Sequence, residues 1–120
     1  MGSIIYDYAS WRGRRAGRVN LPIVNEDVDL LDDQAIESRL AELEGWERDG
    51  DTITKTFKCG DFVGSVGFVQ KLVEPAEDMG HHPDLSLSWD EVRVTSTTHA
   101  AGGLTRSDFE LAKRIDALTA

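Results

Sequence analysis

The segment GHHPDLSLSWDEVRVTSTTHAAGGLT, residues 80–105, holds two apolar alternations and all three histidines of a 120-residue chain. Leu85, Leu87 and Trp89 alternate with Ser86 and Ser88, the period of a strand with one dry face. Val92 and Val94 alternate with Arg93 and Thr95, and Asp90-Glu91 between the two runs reads as a turn. The segment is therefore expected to form a β-hairpin.

A second hairpin lies upstream. Trp46 opens a strand, Asp49-Gly50 is a strong turn signal, and Thr52 to Lys58 places Ile53 and Phe57 on one face. Helices separate and flank the hairpins. Asp32 or Asp33 caps a first helix with Ile36, Leu40 and Leu43 on one stripe and Gly45 as its stop. Asp61 caps a second, whose stripe reads Phe62, Val66, Val69, Val73 and Ala76 and which ends at Gly80. Gly64 and Gly67 are costly inside a helix and suggest close packing against another helix, while Pro75 predicts a kink near Lys71. Thr105 caps the last helix in a capping box with Asp108, with Leu104 and Phe109 at the staple positions and Leu111, Ile115 and Leu118 on its stripe. The order α-β-β-α-β-β-α implies an α+β domain, a four-stranded antiparallel sheet with three helices on one face.

Charge divides the chain. Up to Val24 there are four arginines against one aspartate; beyond it, nine basic residues face 21 acidic ones. An acidic body repels phosphate backbones, which argues against nucleic acid as a direct ligand. No apolar run approaches the roughly 18 residues of a membrane span. Cys59 is the single cysteine, so internal disulfides and Cys-rich zinc sites are excluded, in keeping with a reducing, cytoplasmic setting. Residues 1–27 lack periodicity and read as a flexible basic leader, with an organelle address as the other reading of an Arg-rich, acid-poor segment. Residues 28–120 form the domain.

His81 and His82 follow the second helix, and His99 ends the last strand. One histidine at such a place is explained by the helix dipole or by a polar strand end. Three at element ends around one hairpin point to a site. Adjacent residues in an extended segment face opposite ways, so His81 and His82 have different tasks, and one of them shares a pocket with His99. Zinc is the competing use, but the pair lacks the i, i+4 spacing of a helical metal face and no carboxylate completes a known pattern.

The spacing Glu77-x3-His81-His82-Pro83-x5-Trp89-x9-His99-x8-Asp108 resembles the signature of the pterin-4a-carbinolamine dehydratases. The resemblance extends through Gly45-Trp46, Asp61-Phe62, Gly67-Phe68 and Gly103-Leu104-Thr105, and spans Leu31 to Leu118. It implies a hydro-lyase that converts 4a-hydroxytetrahydropterin to quinonoid dihydropterin, recycling the pterin of aromatic amino acid hydroxylases without metal or other cofactor. It implies His81 and His99 as catalytic acid/base groups and His82, Pro83, Thr97 and Thr98 as substrate-binding positions, with Glu77 and Trp46 in supporting places. Homodimers or homotetramers are usual in the family. Its relatives also include non-catalytic interaction modules, transcription-factor dimerisation cofactors and RuBisCO assembly factors, which is the alternative function. Gly80 and Ala100-Ala101 depart from the acidic residue and the Glu-Cys pair of animal members.

Overall fold

The structure, a computed structural model, describes residues 29–119, so the leader expected over 1–27 lies outside it. Asp32 caps helix α1 (Asp33–Leu40), accepting the Ala35 amide at 2.8 Å. The helix ends at Leu40, well before Gly45; of its stripe Ile36 is fully buried, while Leu40 and Leu43 pack against the core edge. Strands β1 (Glu47–Asp49) and β2 (Thr52–Lys58) pair with Asp49 opposite Thr52. That leaves Gly50-Asp51 as a two-residue turn, and Gly50 takes the positive φ, 62°, that such a turn needs.

Helix α2 (Phe62–Met79) starts at Asp61, whose carboxylate accepts the Gly64 amide at 2.7 Å, and runs on through Pro75 to a left-handed Gly80. A Cβ at Gly64 would lie 2.2 Å from the Cys59 carbonyl oxygen, so this glycine admits the preceding loop rather than another helix, and Gly67 faces open space. Strands β3 (Asp84–Leu87) and β4 (Glu91–Ser96) follow, then a 3₁₀ turn (His99–Ala101) and helix α3 (Arg106–Ala117). The sheet is antiparallel throughout, in the order β1-β2-β4-β3.

Register explains the layering. Ile53 opposes Ser96, Lys55 opposes Val94 and Phe57 opposes Val92, so these six residues share one face of the sheet. Phe68, Leu72 and Ala76 of α2 and Phe109, Leu111, Ala112 and Ile115 of α3 join that face in the buried core. The other face carries Thr54, Arg93 and Thr95, with the Thr54 hydroxyl bonded to both of the others. Lys55 reaches from the helix-covered face to Asp116 at 3.0 Å and to the Glu44 carbonyl at 2.9 Å, and the Trp46 indole donates to both oxygens of Asp116 at 3.1 Å. This cluster fastens the end of α3 to the first hairpin.

Two further expectations are corrected. Of the expected α2 stripe, Ala76 is buried and Val69 packs against the core, but Phe62, Val66 and Val73 are exposed; the buried side is Ser65, Phe68, Leu72, Pro75 and Ala76, centred about one residue or roughly 100° round the helix. The helix is apolar on two sides, and ring contact between Phe68 and Phe57, 4.8 Å between centroids, lies on the side that faces the sheet. Leu85 and Leu87 pair with Val94 and Val92 but are 39% and 40% exposed, and Trp89 is 66% exposed, because β3 is the outer strand. Leu30 apart, the exposed large apolar side chains among the described residues belong to α2, β3 and the turn after it.

Packing makes a testable contrast. Leu111→Ala, emptying a fully buried position, should cost about 2–5 kcal/mol in denaturant unfolding. Lys58→Ala, which removes an exposed ion pair with Glu91, should leave the unfolding midpoint in place; the reverse ranking would contradict this core.

Candidate functional site

The left-handed Gly80 ends α2 and turns the chain into an extended path toward β3, while the His81 amide still bonds the Ala76 carbonyl at 3.0 Å. The two histidines then diverge, as alternation requires. The His81 ring, 12% exposed, turns inward and meets Asp108 Oδ1 with Nε2 at 2.6 Å. His82 is exposed and its Nε2 bonds Glu77 from the last turns of α2.

Asp108 is the centre of the arrangement. It sits in the first turn of α3, where its side chain accepts the Thr105 amide at 3.0 Å and closes the expected capping box. Its carboxylate is fully buried. Oδ1 receives His81 and the Ser96 hydroxyl, the latter at 2.6 Å; Oδ2 receives the Thr98 hydroxyl at 2.8 Å as well as the Thr105 amide. The Thr105 hydroxyl in turn lies 2.7 Å from that of Thr98. Burial pushes the Asp108 carboxyl up, but the bonds from His81, Ser96, the Thr105 amide and Thr98 outweigh it and hold the group below the ordinary carboxylate range. Asp108 is an anion at neutral pH.

His99 comes one residue after Thr98, at the start of the 3₁₀ turn that the Thr98–Gly103 bridge closes. Its imidazole is exposed and has no side-chain partner among the described residues. His81 and Thr98 thus meet on opposite oxygens of one carboxylate, and His99 leaves from beside it.

The other expected site residues lie as follows. Pro83 is partly buried just ahead of β3. Thr97 gives its hydroxyl to the Asp51 carbonyl at 2.6 Å, and Thr98 is buried with its hydroxyl committed to the Asp108 cluster. Trp46 is a core residue whose contacts are Phe57 and Asp116. Sequence reasoning places Asp108 in the helix cap and at the end of the family spacing, without a role at the site, and leaves Ser96 unremarked. Their signals are a serine where the alternation Val92, Val94 calls for a third apolar residue, and an aspartate at a fixed distance from His99. Among the described residues no three His, Cys, Asp or Glu side chains are grouped as a metal ion would require.

A buried carboxylate with four donors should govern acid stability. Its folded pKa is depressed, so its contribution is complete above the unfolded value of about 4 and is lost as pH falls through the folded value. Unfolding free energy should therefore fall below about pH 4 in the parent and fall less steeply in Asp108→Asn; parallel curves would contradict the assignment. Asp108→Ala, which strands its buried donors, should cost about 3–5 kcal/mol at neutral pH.

Comparison with known proteins identifies the family and the fold. The profile of the family described as Pterin 4 alpha carbinolamine dehydratase matches residues 29–118. A protein of Thermosynechococcus vestitus, provisionally named as a pterin-4-alpha-carbinolamine dehydratase, is 54% identical over 83 residues, covering 69% of this chain and 87% of the relative. A similarly named protein of Nocardia farcinica is 42% identical over 91 residues, covering 76% and 96%. The crystal structure of a transcriptional coactivator/pterin dehydratase from Brucella melitensis superposes with a TM-score of 0.73 at 30% identity, covering 77% of this chain and all of that one. A pterin dehydratase-like RuBisCO assembly factor of the alpha-carboxysome shares the fold, with a TM-score of 0.55 at 24% identity over 64% of this chain and 92% of that one. With profile, relatives and fold in agreement over the described domain, the chain belongs to the pterin-4-alpha-carbinolamine dehydratase family.

Proposed function

We propose that the protein dehydrates 4a-hydroxytetrahydropterin to quinonoid dihydropterin, with His81 and His99 moving the protons. The observation that carries this reading is the buried Asp108 carboxylate against His81 Nε2. A carboxylate so placed orients the imidazole and offers its charge to the imidazolium that forms when the ring takes a proton, as in other histidine–carboxylate pairs.

The reaction needs no electron transfer. The C4a–O bond breaks, the hydroxyl leaves as water after receiving a proton, and N5 loses its proton as the N5=C4a bond forms. His81, backed by Asp108, takes the N5 proton. His99, exposed at the head of its turn, supplies the proton to the leaving hydroxyl. Imidazole suits both tasks near neutral pH. His82, held by Glu77, binds the ring at the rim with Pro83 and Thr97, while Thr98 acts from behind through Asp108, and Trp46 supports the site by holding α3 in place. The protein would thereby return the oxidised pterin of aromatic amino acid hydroxylation to a reductase in the cytoplasm.

Assembly is part of the same proposal. Phe62, Val66 and Val73 on α2 and Leu85, Leu87 and Trp89 in and after the edge strand β3 are exposed apolar side chains that suit contact with a second copy, as a homodimer or homotetramer. The non-catalytic reading, an interaction module, would use this surface too; the intact set of three histidines with its carboxylate favours the enzyme.

A stopped-flow assay of carbinolamine dehydration tests the chemistry. His81→Ala and His99→Ala should each lower kcat by about 10²- to 10⁴-fold, and His82→Ala should chiefly raise KM. Cys59→Ala and added chelator should change neither. An inactive parent, or full activity in all three histidine variants, would overturn the reading. Light scattering at micromolar concentration should give a dimer or tetramer, and Leu87→Asp with Trp89→Asp should shift it toward monomer; a monomeric parent would rule the assembly out.

A further inference from the structure

We infer that Ser96 is a positioning residue for His81: with Asp108 it holds the ring so that Nδ1, rather than Nε2, is the nitrogen presented for proton transfer. The inference rests on the dehydratase reading above and names the atom and the support that the reading requires.

Ser96 stands where strand physics calls for an apolar residue. It continues the dry face of β4 after Val92 and Val94 and is 1% exposed, opposite the fully buried Ile53. A buried hydroxyl in such a place must be satisfied, and it is satisfied at the site. Ser96 Oγ lies 2.6 Å from Asp108 Oδ1 and 3.3 Å from His81 Nε2, and His81 Nε2 lies 2.6 Å from the same Oδ1.

Counting protons in this triangle fixes the tautomer. Asp108 is ionised and brings none. Ser96 brings one, and it cannot serve Oδ1 and a bare Nε2 together. If Nε2 lacked hydrogen, its lone pair would face a carboxylate oxygen at 2.6 Å with nothing between them. Nε2 therefore carries a hydrogen directed at Oδ1, Ser96 donates to Oδ1 beside it, and in the neutral ring the lone pair sits on Nδ1. The Asp108 contact alone would leave the ring free to pivot about Nε2. The Ser96 oxygen, within reach of the same N–H, is a second acceptor, and an N–H shared between two acceptors narrows the directions in which the ring can aim Nδ1.

The test uses the full chain with ¹⁵N-labelled histidine. In the parent, ring nitrogen shifts and couplings followed across a pH series should show the neutral His81 ring as a single Nε2–H form. Ser96→Ala should lower kcat about tenfold with KM within about twofold and should broaden or average the His81 ring signals; Ser96→Thr, which keeps the hydroxyl, should restore both. A parent His81 protonated on Nδ1 overturns the inference even if Ser96→Ala fails to fold. Parental kcat in Ser96→Ala overturns it too, as does a Ser96→Thr variant no better than alanine. Should the parent prove inactive yet show the single Nε2–H form, with signals averaged in Ser96→Ala and restored in Ser96→Thr, the positioning by Ser96 is supported and the reaction assigned above is not.

Discussion

A carboxylate with no exposure is the constraint on which the rest of the structure depends. Asp108 can stay ionised in the interior only if every lone pair finds a donor, because an unpaired buried charge costs several kcal/mol. Its donors come from separate stretches of chain: His81 after α2, Ser96 at the end of β4, Thr98 beyond it, and the amide of Thr105 at the start of α3. One side chain thus sets where a helix ends, where a strand ends and where the next helix begins. The same bonds that answer the burial of the charge orient the histidine that the proposed chemistry uses.

Helix α3 is fastened at both ends by aspartate. At its last turn Asp116 takes bonds from Trp46 and Lys55, and Lys55 also lies 4.8 Å from the centre of the Phe57 ring. An acidic side chain there opposes the helix dipole, and the Lys55 ammonium offsets it. With one end fixed to the first hairpin and the other to the site, α3 cannot slide along the sheet without breaking a charged contact. The open strand β3 and the outer side of α2 leave apolar side chains exposed, although Asp78 near the end of α2 pairs with Arg114 of α3 at 2.7 Å. A firmly held site and exposed apolar side chains beside it are what the proposed dehydratase and its proposed assembly require.

Much of this was legible in the sequence, for reasons that differ from element to element. The hairpins were legible because a period of two has no helical counterpart, and the caps because Asp32, Asp61 and Thr105 act within a few residues of themselves. The divergence of His81 and His82 followed from the same alternation. The buried side of α2 was not legible, since valines and phenylalanines occupy two neighbouring sides and the choice between them is made by Phe57 and the sheet. Leu85 and Leu87 have the pattern of core residues, but whether a dry face is covered depends on strand order, which no local pattern carries. Asp108 looks like a cap because its local bond is a cap; its other partners lie 10 to 27 residues away. Thr98 entered only through the family resemblance, as a substrate-binding position, and the inward turn of its hydroxyl to Asp108 was not legible.

The central claim is that His81 and Asp108 act as one unit, and a double-mutant cycle on the dehydration rate tests it most directly. His81→Ala, Asp108→Asn and the double variant would be compared with the parent under saturating 4a-hydroxytetrahydropterin. The account predicts that, once His81 is gone, changing Asp108 costs little more, so that the double variant is nearly as active as His81→Ala alone. Losses that simply multiply would mean that the carboxylate holds up the fold without serving the histidine, and would contradict it.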